Sequence, residues 1–166
     1  MKKRVVYIVF GILLGCLMVT DGWAQEMSSD NFEQLKKLEG EWIGVKPDGK
    51  KVEVSYKVMS RGSAIIETMI PEGEPSMVSV YHMNGDKLMM THYCSAGNQP
   101  RMEVSAAEDG NLDFRFVDAT NLSSSSQGHM TGLKVIFVDD NHFNQVWTWS
   151  EGDKEMPGTF EYERKS

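Results

Sequence analysis

Lys51-Val52-Glu53-Val54-Ser55-Tyr56-Lys57-Val58-Met59 is the stretch whose reading decides the fold class of this chain. Val52, Val54, Tyr56 and Val58 alternate with Glu53, Ser55 and Lys57, a period of two that puts every apolar side chain on one face of an extended strand. Turn-forming residues bound it on both sides, Pro47-Asp48-Gly49 before and Arg61-Gly62 after. The segment reads as a half-buried β-strand.

Working outward, the same punctuation recurs along the chain. Strands are expected at 41–45, 51–59, 64–70, 76–83, 88–94, 101–107, 112–117, 129–138, 142–151 and 159–165. Most are separated by hairpin-length turns such as Pro71-Glu72-Gly73, Asn84-Gly85 and Asp109-Gly110. Helical periodicity occurs once after residue 25, over Asn31 to Leu38. There Phe32, Leu35 and Leu38 share a face, Ser28-Ser29-Asp30 offers caps, and Gly40 ends the run. A meander of ten short strands predicts an all-β, lipocalin-like up-and-down antiparallel barrel with a short N-terminal helix.

The expected inward faces are apolar with polar exceptions. Leu112, Phe114 and Phe116 form one, and Phe143, Trp147 and Trp149 share theirs with Gln145. His129 and Thr131 are expected on the face of Leu133, Val135 and Phe137. The polar members suggest a lumen with polar lining; the plainer reading makes each a hydrogen-bonded core residue.

The N-terminus carries the signs of a secretory signal: Lys2-Lys3-Arg4, an apolar run from Val5 to Thr20, and small residues at Gly22 and Ala24. The expected organisation is a signal peptide over 1–24 and a single barrel domain over 25–166, exported to the periplasm or beyond. Leu13-Leu14-Gly15-Cys16 resembles a lipobox and offers a second exit, with a lipid anchor at Cys16 as the sole membrane contact. Losing Lys2, Lys3, Arg4 and Asp21 moves the formal charge from −7 to −9. Such a chain repels phosphate backbones, so no nucleic-acid partner is expected. Cys94 then stands alone without a disulfide partner.

Several side chains could carry chemistry. In a strand, His92 and Cys94 point to one face. With Asn84-Gly85 as a two-residue turn, Tyr81 would oppose Leu88 and Ser79 would oppose Met90. Met77, Ser79, Tyr81, Met90, His92 and Cys94 would then line the lumen. A thiol beside an imidazole is a weak sign of nucleophile and base, and a lone buried cysteine is more often apolar filler. No set of metal ligands at working spacing is visible, so no metal is expected. Arg101, at the expected rim, could clamp an anion or merely pair with a surface carboxylate. Asn98 and Gln99 shape the neighbouring turn, and Asp118–Gly128 is a long polar loop that could serve as a lid.

Leu38-Glu39-Gly40-Glu41-Trp42-Ile43-Gly44 resembles the L-x-G-x-W-x-G opening of lipocalin-like, calycin-type barrels, which implies a tryptophan packed across the closed end beneath a leading helix. The run from Val80 to Met102, with Thr91-His92-Tyr93-Cys94 and Gly97-Asn98-Gln99-Pro100-Arg101-Met102, is similar to a family of secreted bacterial proteins whose domain has no assigned function. That likeness implies the barrel and brings no activity. Nitrobindin-type haem barrels share the Gly-x-Trp opening, but neither His129 nor His142 matches their ligand motif, so the likeness stays at the level of fold.

Three readings follow. The first is an exported barrel binding a small, largely apolar or amphipathic ligand with an anionic or polar end. Its candidate contacts are Tyr81, His92, Cys94, Gln99, Arg101, His129 and Gln145, and it predicts a substantial internal cavity. The second is a small hydrolase or isomerase in which His92, Cys94 and His129 converge. The third is an envelope interaction module with a packed interior and an exposed apolar patch. Composition names no cofactor.

Overall fold

The computed structural model describes residues 30–46, 48–108 and 110–166, with 106–108 as backbone only. The expected signal sequence over 1–24, Cys16 within it, the caps Ser28 and Ser29, and the turn residues Pro47 and Asp109 lie outside the described residues.

Ten antiparallel strands run in chain order: β1 (Gly40–Val45), β2 (Lys51–Met59), β3 (Ala64–Pro71), β4 (Met77–Asn84), β5 (Lys87–Tyr93), β6 (Gln99–Glu108), β7 (Asn111–Thr120), β8 (His129–Asp139), β9 (His142–Glu151) and β10 (Lys154–Arg164). Each pairs with its neighbours in sequence, and β1 pairs with β10 to close the barrel. The up-and-down barrel expected from the alternation is what forms. A helix, α1, covers 30–36 and lies at the end where β10 finishes and the β7 hairpin turn approaches Gln34.

The Gly-x-Trp opening acts at that capped end. Trp42 is buried, its Nε1–H donates to Leu38 O at 2.8 Å, and its ring meets Phe143 edge-on at 4.7 Å. Arg164 lies over the other side of the indole at 4.1 Å and donates to the carbonyls of Lys37, Glu39 and Asp140. Gly44 is required by packing, since a Cβ there would stand 2.5 Å from the Tyr162 ring and 2.9 Å from Glu161 O.

Two departures from the expected strands have clear causes. β10 begins at Lys154, through Pro157, because 154–160 pair with β9, while β1 reaches along β10 only to Glu161. The other edge of 154–160 is therefore unpaired there, the place where a strand tolerates proline. In β8 a bulge between Met130 and Gly132 takes Thr131 out of the alternation. Thr131 therefore does not share the expected face with Leu133 and Val135, and its hydroxyl turns to Thr148 O at 3.5 Å.

The hairpin between β4 and β5 turns one residue later than expected. Asn84 pairs with Lys87, leaving Gly85 and Asp86 as the loop, with Gly85 at φ 63 in the position a primed turn reserves for glycine. Tyr81 therefore opposes Met90, and Ser79 opposes His92. The register moves by two residues, which preserves the facing. Ser79, Tyr81, Met90, His92 and Cys94 are all buried, as expected of a lumen face.

Candidate functional site

One level of the barrel wall is polar on its inner face. Tyr56, Glu67, Ser79 and His92 are successive lateral partners across β2, β3, β4 and β5. From the far side β9 contributes Gln145 and Trp147. Gln145 Nε2 donates to both Glu67 Oε1 and Tyr56 Oη, each at 2.8 Å, and Trp147 Nε1–H donates to Gln145 Oε1 at 3.1 Å. Tyr81, one step below on β4, donates its hydroxyl to Glu67 Oε2 at 2.5 Å. Ser79 Oγ and His92 Nδ1 are 3.0 Å apart, and the imidazole packs against the Trp147 ring at 4.7 Å.

This layer divides the interior in two. Below it, toward α1, the next lateral row is Val58, Ile65, Tyr81, Met90 and Met102. Ile65, Tyr81, Met90, Met102, Phe114 and Phe143 are each 0 % exposed, so none borders a space that admits water. The lower lumen is a dry, filled core. The substantial internal cavity expected from the sequence is thus absent from that half, because large aromatic side chains occupy it. Above the layer, exposure rises toward the uncapped end: Ser79 and His92 at 2 %, Met69 at 4 %, His129 at 5 % and Cys94 at 8 %. Met77 and Met130 there are only partly buried. The lumen at the end opposite α1, above the polar layer, is therefore packed less completely than the half beneath α1.

Electrostatics in the polar layer are set by burial. Burial raises the Glu67 carboxyl above the usual carboxylate range, opposed by the hydrogen bonds it accepts from Tyr81 and Gln145. Burial, then the nearby Glu67 charge, pushes the Tyr56 and Tyr81 hydroxyls well above 10. Burial lowers His92 to about 4, so its imidazole is neutral at pH 7. Its Nε2 is buried and has no hydrogen-bond partner, and the same holds for Tyr162 Oη and Asn98 Oδ1.

The other expected site residues fall into two groups. Cys94 caps the inner face of β5, and its backbone N–H donates to Asn98 O in a turn that Gly97 permits at φ 82. Asn98 is buried and donates Nδ2 to Gly128 O at 2.9 Å, joining two loops of the uncapped end. His129 packs on Phe116 at 5.0 Å with its Nδ1 2.7 Å from Gln127 O. No hydrogen bond joins His92, Cys94 and His129 to one another among the described residues.

Gln99 and Arg101 stand apart from the lumen. Gln99 donates to Gly97 O at 3.1 Å and accepts from Thr120. Arg101 is exposed and grips Asp118 with Nε and Nη2. Among the described residues no three of His, Cys, Asp or Glu gather as metal ligands.

Sequence reasoning had named Tyr81, His92, His129 and Gln145 but not Glu67, on which Tyr81 and Gln145 both converge. Two surface clefts lie elsewhere. One of about 530 Å³ opens at the capped end beside Leu38, Trp42 and Arg164. Another of about 400 Å³ lies among Ala96, Gly97 and Asn121 to Ser123. Neither is lined by the polar layer.

No family model matches the chain, and no curated protein does. Its architecture recurs among solved structures. A protein with unknown function from the DUF3598 family of Nostoc punctiforme superposes with a TM-score of 0.50 at 11% identity, over 80% of this chain and 49% of that one. The chain thus spans about half the length of that relative. Rv2717c from M. tuberculosis superposes with a TM-score of 0.52 at 13% identity, over 82% of this chain and 98% of its own. Likeness at these identities shows a shared barrel fold.

Proposed function

We propose that the chain is an exported small-molecule-binding barrel whose ligand enters the uncapped end and rests its polar group on the Tyr56–Glu67–Ser79–His92 layer. The observation that carries the reading is His92 Nε2, buried and without a hydrogen-bond partner in the polar layer nearest the uncapped end. Buried polar atoms in folded proteins are almost always hydrogen-bonded, so an orphan in this layer is where a ligand atom fits. Met69, Met77 and Met130 lie above the layer toward the uncapped end, and thioether side chains repack around varied apolar shapes at small cost. Export rests on the cationic and apolar pattern of residues 1–24.

The test is native mass spectrometry of the full chain isolated without denaturant, with titration by the uncharged dye Nile red. A co-purifying small molecule, or dye emission that rises with the protein and weakens in His92→Phe, is the expected result. A bare chain that leaves the dye dark overturns the reading.

A further inference from the structure

Glu67 is the one carboxylate in the core of the described residues, at 1 % exposure, and none of their ion pairs includes it. Its hydrogen-bond donors, Tyr81 Oη and Gln145 Nε2, are uncharged. They satisfy the directional needs of the oxygens but supply no counter-ion, so burial favours the protonated carboxyl until a cation meets it. The buried set contains no lysine or arginine. A buried charge is ordinarily paired, and a lone one is strongly unfavourable.

We propose, resting on the lumen reading above, that the polar head of the ligand is a protonated amine and that Glu67 is its counter-charge. Three further observations fit an ammonium head. Tyr56, Tyr81 and Trp147 lie at or next to this level of the barrel, and electron-rich ring faces attract cations. Tyr162 Oη is unpartnered and can accept an N–H, and so can His92 Nε2 in the tautomer whose Nδ1–H donates to Ser79. Glu67 stands beside Ser79 in the polar row, above the dry core, so an amine entering from the uncapped end would meet it before the lower lumen. A carboxylate head would meet like charge there, and an alcohol would leave the charge unmet.

Three ligands of one shape separate these cases: phenethylamine, phenethyl alcohol and hydrocinnamate, titrated calorimetrically into the full chain at neutral pH. The amine is expected to bind on the order of tenfold tighter than the alcohol, with hydrocinnamate weakest. Glu67→Gln is expected to erase the preference for the amine while keeping the alcohol. If Glu67→Gln does not fold, the ranking on the unaltered chain decides alone. An alcohol or carboxylate that binds as tightly as the amine overturns this inference and leaves the lumen reading standing. If none of the three binds but Nile red does, the amine inference alone falls; if the dye also fails, both fall.

Discussion

Gln145 reaches across the lumen from β9 to donate its Nε2–H to Glu67 Oε1 at 2.8 Å. The contact ties two walls of the barrel that share no strand pairing, since Glu67 lies on β3. Gln145 also donates to Tyr56 and accepts from Trp147, so one amide serves three buried partners. Gln145→Leu keeps the volume, strands the Trp147 Nε1–H and takes one partner each from Tyr56 and Glu67, which keeps only Tyr81. Each orphaned buried group costs about 1–3 kcal/mol, so a net loss of roughly 3 kcal/mol is expected after relaxation. Thermal melts should show Tm lower by something on the order of 10 °C. A variant that melts with the wild type would mean that the layer is not the connected network described.

His92 makes stability depend on pH in a stated direction. Burial holds its folded value at about 4, against 6.5 in an exposed chain. Between those values the unfolded chain takes up a proton that the folded chain refuses, so stability is lost as pH falls from 6.5 toward 4. The shift corresponds to at most about 3 kcal/mol. Glu67 acts oppositely: its raised value lets the folded chain keep a proton that the unfolded chain releases, so its contribution is lost as pH rises above 4.5. Urea midpoints across this range should therefore lose more toward acid in the wild type than in His92→Gln, where only the opposite Glu67 contribution remains. Identical acid slopes in the two proteins would refute the assignment to His92.

The strands and their inward faces were legible because period-two alternation and turn residues are local signals. The one-residue error in placing the turn after Met83 did no harm, since moving a two-residue loop by one position shifts the register by two. Glu67 was illegible for a different reason. Ile65-Glu67-Met69 and Ile66-Thr68-Ile70 are both apolar faces, and an ionisable residue on one of them argues for that face being outside. The opposite holds, and Ile70 is 52 % exposed. The signal available was register: with strands ending at Met59 and starting at Ala64, counting back places Glu67 beside Tyr56, already assigned inward. The bulge at Thr131 had only the signal of Gly132, an isolated glycine inside a strand pattern, which marks a bulge without fixing which residue is extra.

Gly44 and Gly132 should respond differently to the same added methyl group. At Gly44 a Cβ would stand 2.5 Å from the Tyr162 ring, which is held between Phe143 and Phe160 and cannot retreat. At Gly132 the nearest atom, Thr148 Oγ1, is 3.5 Å away, an ordinary contact. Gly44→Ala is expected to cost about 1–3 kcal/mol by overpacking, and Gly132→Ala well under that. Equilibrium urea unfolding of the pair checks it; equal midpoints would contradict the packing around Tyr162.

Arg164 fastens the cap. Its guanidinium covers the Trp42 ring and donates to Lys37 O, Glu39 O and Asp140 O, so one side chain holds the end of α1, the start of β1 and the turn between β8 and β9. A lysine keeps the charge but presents a single ammonium, which cannot span carbonyls from three segments or lie flat on an indole. Arg164→Lys is expected to cost roughly 2 kcal/mol through lost hydrogen bonds and ring contact. The loss should be local before it is global, because α1 contributes Phe32 and Leu35 to the core yet is not part of the sheet. Hydrogen exchange should accelerate at 34–38 while β4 and β5 keep their protection. Uniform acceleration through the barrel would instead make Arg164 part of the global core and not a clasp on its cap.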